Sequence, residues 1–122
     1  MIQMPGAKIA PRHEQVRIEG TPIDVRMGQL IKYLWHREYR TSMSCQGDDT
    51  RMAYVQFTSM TQAKRFFEGT LDRLHTTVLM TSKQIVQARL ALRVTLGEDD
   101  AVVGIVSFHH EALDSITAVW AI

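Results

Sequence analysis

The run Arg40-Thr41-Ser42-Met43-Ser44-Cys45-Gln46-Gly47-Asp48-Asp49-Thr50-Arg51 concentrates hydroxyls, the chain's one thiol, a side-chain amide, two carboxylates and two guanidiniums. Small donors and arginines around a glycine turn with free backbone N–H groups are the parts from which an anion site is built. Period-two alternation assigns Arg40, Ser42 and Ser44 to one face of a strand, and Thr41, Met43 and Cys45 to the other. The same residues also fit a plainer reading. In it the hydroxyls line a strand, Cys45 is buried as a small hydrophobe, and the turn is solvated.

Cys45 can act as a nucleophile only if a nearby cation or helix amino end lowers its pKa. None of the five histidines has a diagnostic spacing to it. A Cys/His metal site lacks its usual second cysteine, so no metal is expected. In His109-His110-Glu111 the histidines are adjacent, whereas a helical zinc motif needs them four apart; the segment reads as a helix start with Glu111 at its favourable end. Asp48-Asp49 and Asp99-Asp100 fall in turns, where aspartate is common for conformational reasons. Arg89 and Arg93 lie on the polar side of one strand and can clamp phosphate or carboxylate, or else line a solvated face or a subunit contact. Tyr33, Tyr39 and Tyr54 are the aromatics best suited to stack on a base. No phosphate-loop, dinucleotide or catalytic-triad signature is present.

The elements that must position these groups follow from periodicity. Met1 to Glu14 carries Pro5, Gly6 and Pro11 with no apolar period and reads as a loose arm preceding a single domain over 15–122. Val16 and Ile18, then Ile23 and Val25, alternate about Gly20 to Pro22 as a short strand pair, with Pro22 at an edge. Met27, Leu30, Ile31, Leu34 and Trp35 form a helical stripe, with Asp24 placed to cap it. Two strands flank the Gln46–Asp49 turn. A second helix starts at Ser59, where Gln62 completes capping-box spacing, and runs through Ala63, Phe66, Phe67, Thr70, Leu71 and Leu74. His75 to Gln87 fits either a continued helix or a loop.

Leu90, Leu92, Val94 and Leu96 alternate as a strand with one buried face. Ala101 to Phe108 is apolar on both faces, which predicts a central strand. Ala112, Leu113, Ile116, Val119 and Trp120 describe a closing helix that Trp120 locks onto the sheet. Hairpins interleaved with about three amphipathic helices make an α+β domain with an antiparallel sheet.

A length of 122 residues with 45% hydrophobic content suffices for one core. A net charge of +1 with no basic block argues against duplex nucleic acid. The longest apolar run is far shorter than the about 20 residues that cross a bilayer. The amino terminus lacks the apolar stretch of a signal peptide, and a single cysteine fits a reducing, cytoplasmic compartment. Uncovered sheet edges favour a homo-oligomer.

Leu30-Ile31-Lys32-Tyr33-Leu34-Trp35, Arg40-Thr41, Ser44-Cys45-Gln46-Gly47, Ala53-Tyr54-Val55-Gln56-Phe57 and Ala63-Lys64-Arg65-Phe66 together make a pattern. Over Ile23 to Phe67 it resembles a small uncharacterised protein family of bacteriophages and actinobacteria with a T-x-x-S-C-x-G segment. The Ser-Cys-x-Gly run alone is also similar to one in the wybutosine-synthesis tRNA methyltransferases. The phage resemblance implies an accessory protein acting in the bacterial host cell, of a kind that sequesters nucleotide immune signals such as cyclic nucleotides or ADP-ribose variants. The expectation is therefore a non-enzymatic, cofactor-free protein binding a small anionic, nucleotide-like ligand. Arg40, Ser42, Ser44, Cys45, Gln46 and Arg51 would serve as ligand contacts, with Arg89 and Arg93 as charge clamps. A protein-interaction module that inhibits a host factor is the alternative, and an enzyme using Cys45 the third.

Overall fold

The computed structural model describes residues 13–121. The expected loose arm lies outside the described residues except for His13 and Glu14, and these two are held. Val25 N donates to Glu14 O at 2.7 Å, and His13 contacts Gln46. The chain is an α+β domain with four helices and two antiparallel sheets.

Strands β1 (Gln15–Ile18) and β2 (Thr21–Asp24) form a two-stranded hairpin, with Pro22 paired to Arg17. The turn between them needs Glu19 at φ 50 and Gly20 at φ 84. A 3-10 turn, Val25–Met27, then leads into α1 (Gly28–His36), so Val25 leaves the strand. Asp24 does not cap that helix. Its carboxylate instead accepts from Gln46 N at 3.0 Å and Gln15 Nε2 at 3.2 Å, tying the hairpin to the next strand.

Strands β3 (Thr41–Cys45) and β4 (Ala53–Phe57) follow, then α2 (Met60–Thr76), α3 (Ser82–Ala88), β5 (Ala91–Leu96), β6 (Val102–Phe108) and α4 (Leu113–Trp120). Ser59 caps α2 by accepting from Gln62 N at 3.2 Å. The reciprocal half of the box is absent, because Gln62 Oε1 accepts from Arg40 N at 2.8 Å and pins β3 to the helix start. The ambiguous stretch resolves as neither a continued helix nor a loop. The chain breaks after Thr76, with Leu79 at φ 52, and restarts as α3 under a complete Thr81–Gln84 capping box.

The main sheet runs β3-β4-β6-β5, all antiparallel, so β6 is central as its two apolar faces require. Register sorts the faces. Val55 opposite Val106, Phe57 opposite Gly104, and Ala53 opposite Phe108 point into the core beneath α2. Gly104 leaves the space in which Ala63 and Met60 of α2 sit. The opposite face carries Cys45 beside Tyr54 beside Ser107, and Met43 beside Gln56 beside Ile105 beside Arg93.

A bulge between Thr41 and Met43 corrects the simple alternation in β3. The extra residue shifts parity, so Thr41 and Ser44 take one side and Met43 and Cys45 the other. The expected buried face of β5 is also incomplete. Val94 and Leu96 are each 63% exposed and Val102 58%, because α2 lies over β6 and leaves the far end of β5 open.

Candidate functional site

Helix α2 presents Arg65, Gly69 and Arg73 four residues apart, which places them on one face. Arg37 comes from the end of α1, where its backbone N–H donates to Leu34 O at 3.1 Å. Glu38 then adopts a left-handed φ of 69, and the chain turns Tyr39 into the core. Tyr39 meets Trp120 edge-on at 5.7 Å, and Trp120 stacks on Phe66 at 5.4 Å. Trp120 therefore fastens α4 to α2 rather than to the sheet.

These aromatic rings floor a cleft of about 410 Å³, lined by Arg37, Tyr39, Arg65, Glu68, Gly69, Arg73 and Trp120. The Arg73 guanidinium lies 3.9 Å from the Trp120 ring centroid, and Arg37 lies 5.5 Å from the same ring. Arg65 stands 5.5 Å from the Tyr39 ring. Arg73 Nη1 also donates to Val119 O at 3.3 Å. Partial burial and the neighbouring Arg37 charge lower the Arg73 pKa from its ordinary value.

Among the described residues none of the three arginines makes an ion pair. Three guanidiniums crowded over aromatic faces, with one carboxylate beside them, favour a bound anion. The titratable groups of the lining are the three arginines, Tyr39 and Glu68.

Sequence reading missed this site. The Arg65-Gly69-Arg73 spacing was available as a signal, but Arg37 joins it only through the fold. The residues singled out from sequence are dispersed. Ser44, Cys45, Gln46 and Arg51 lie at or near the β3–β4 turn, whereas Ser42 sits at the other end of β3 in a cleft with Thr21, Pro22 and Trp35. Arg93 lies on β5, three strands from β3 and about 14 Å away at ordinary strand spacing. Arg89 caps α3 and lines a separate cleft with His109 and Glu111. Arg40 opens on another cleft that it shares with Glu19 and Glu38, which offset its charge. Tyr39 is in the core, while Tyr33 and Tyr54 are half-buried.

The β3–β4 turn is itself a tightly tied structure. Gly47 has φ 70, and a Cβ there would lie 2.5 Å from Ala53 N, so only glycine fits. Arg51 pairs with Asp48 at 3.4 Å, and at the far end of the hairpin Ser42 Oγ donates to Gln56 O at 3.4 Å. Gln46 accepts from Arg26 N at 3.1 Å through Oε1 and turns Nε2 toward His13 Nδ1 at 3.3 Å. These donors are engaged within the chain, and Asp24, Asp48 and Asp49 make the neighbourhood acidic. His110 Nε2 lies 3.1 Å from Asp49 Oδ1, although the contact is not aligned as a hydrogen bond. Burial, followed by the Cys45 and Asp24 charges, raises the Tyr54 pKa.

No protein-family model, curated protein or solved structure matches the chain.

Proposed function

We propose that this protein binds a small anionic, nucleotide-like ligand without transforming it, and that the ligand lies in the Arg37–Arg65–Arg73 cleft. The observation that carries the reading is three guanidiniums, none in an ion pair among the described residues, around one aromatic-floored cleft. A volume of about 410 Å³ falls within the range of small-molecule sites. Guanidiniums would take the phosphates bidentately, held in place by the buried Tyr39 and Trp120 rings on which they rest. Sequestration of an immune signal by a phage-type protein in its host cell is the biological form suggested by the sequence resemblance.

Isothermal titration with pyrophosphate, ADP, ADP-ribose and cyclic dinucleotides tests the assignment. Arg37→Ala and Arg65→Ala are the informative variants, since Arg73 also packs on Trp120. Each is expected to weaken binding about tenfold or more, the loss of one charged hydrogen-bonding partner. No uptake of any anion, or uptake unaffected by both substitutions, sinks the proposal.

A second reading has its own observation. Val94, Leu96 and Val102 make an exposed apolar strip at the β5 edge, which suits a protein interface and fits a module that inhibits a host factor or a homo-oligomer.

A further inference from the structure

We infer that His13, Asp24 and Cys45 form a three-ligand site for a zinc-class divalent cation, independent of the arginine cleft. The three residues come from the approach to β1, the end of β2 and the end of β3. Each offers one donor atom, and the three atoms lie within 4.8 Å of one another. Nitrogen, carboxylate oxygen and thiolate sulfur are the donor set of borderline-soft zinc, and three protein ligands leave a fourth position for water or a ligand.

Two features of the surroundings point the same way. Asp24 is only 7% exposed, yet its carboxylate is met by neutral donors alone, Gln15 Nε2 and Gln46 N. Among the described residues no lysine or arginine pairs with it. A buried carboxylate of this kind is ordinarily paired or bound to metal. Among the described residues His13 has its Nε2 atom buried without a hydrogen-bond partner, the nearest carboxylate being Asp48 at 3.9 Å. Gln46 Nε2 meets the ring at Nδ1 while its Oε1 accepts from Arg26 N. Ligation through His13 Nε2 therefore goes with a turn of that amide, Oε1 then accepting the Nδ1–H. A neutral histidine, a carboxylate and a thiolate together supply two negative charges, which match a divalent ion.

Binding takes the cation and releases the Cys45 thiol proton to solvent; no electron transfer is involved. The lone cysteine, which lacks the second cysteine of a zinc finger, is completed here by residues far from it in sequence.

The test is titration of the untagged full chain with Co²⁺ as a spectroscopic probe, followed by displacement with Zn²⁺. One equivalent with a thiolate-to-cobalt charge-transfer band is expected, abolished in Cys45→Ser and weakened about tenfold or more in His13→Ala and Asp24→Asn. His110→Ala, in the other histidine cluster, is expected to bind as the parent does. Because Asp24→Asn also touches the hairpin, protection of the Cys45 thiol from alkylation by Zn²⁺ in the parent protein serves as a second readout. Absence of the charge-transfer band, undiminished affinity in His13→Ala, or loss of binding in His110→Ala overturns the site.

Discussion

The indole Nε1–H of Trp120 donates to Thr70 Oγ1 at 3.0 Å, and both side chains are buried. The bond joins the last helix to the middle of α2, directly behind the ring on which Arg73 rests. Thr70→Val keeps the volume and removes the acceptor, leaving a buried N–H unpaired. Urea unfolding should show a loss of about 1–3 kcal/mol. Trp120→Phe in the Thr70→Val background should then cost less than in the parent, because the unpaired donor is gone. Additive losses would mean that the bond contributes nothing.

At Gly104 the sheet packs directly against α2. A Cβ there would lie 2.4 Å from Ala63 Cβ and 3.0 Å from Met60 Sδ. Gly104→Ala should lower stability by about 1–3 kcal/mol through overpacking, read as a fall in melting temperature. Adding Ala63→Gly should restore part of it despite the about 1 kcal/mol that glycine costs inside a helix. Failure of the pair to recover anything would show that the helix and sheet already separate to make room.

Acid should act on the β3–β4 turn through Asp48. Hydrogen bonds from the Thr50 hydroxyl at 2.7 Å and the Thr50 N–H at 2.8 Å, with Arg51 nearby, hold its pKa at about 2 against an ordinary 3.8. A carboxylate with a depressed folded pKa contributes stability above its unfolded value, and that contribution disappears as pH falls from about 4 through about 2. Thr50→Val removes the hydroxyl donor and should move the Asp48 pKa upward in a carboxyl-carbon NMR titration. The stability difference between variant and parent should close toward pH 2. An unmoved pKa would assign the shift to Arg51 and the backbone instead.

Local periodicity carried much of the fold. The α1 and α2 stripes, the Ser59 cap, the alternation of β5 and the doubly apolar β6 each depend on residues only a few positions apart, so the chain states them directly. The bulge in β3 escaped because one extra residue in a pairing leaves no mark on composition. The α2–α3 break escaped because Leu79 holds a left-handed conformation without glycine.

The sites belong to the other category. Arg40, Ser42 and Arg93 looked like one donor set in sequence, but the order β3-β4-β6-β5 puts their strands on opposite edges of the sheet. Arg37 joins Arg65 and Arg73 because Glu38 reverses the chain and α1 ends beside α2; His13 and Asp24 reach Cys45 because the first hairpin lies against β3. The sequence by itself determined most of the helices and strands and which residues carry charge, since those properties are set by near neighbours. Only the tertiary structure decided which charges meet, since that depends on strand order, register and helix packing across long stretches of chain.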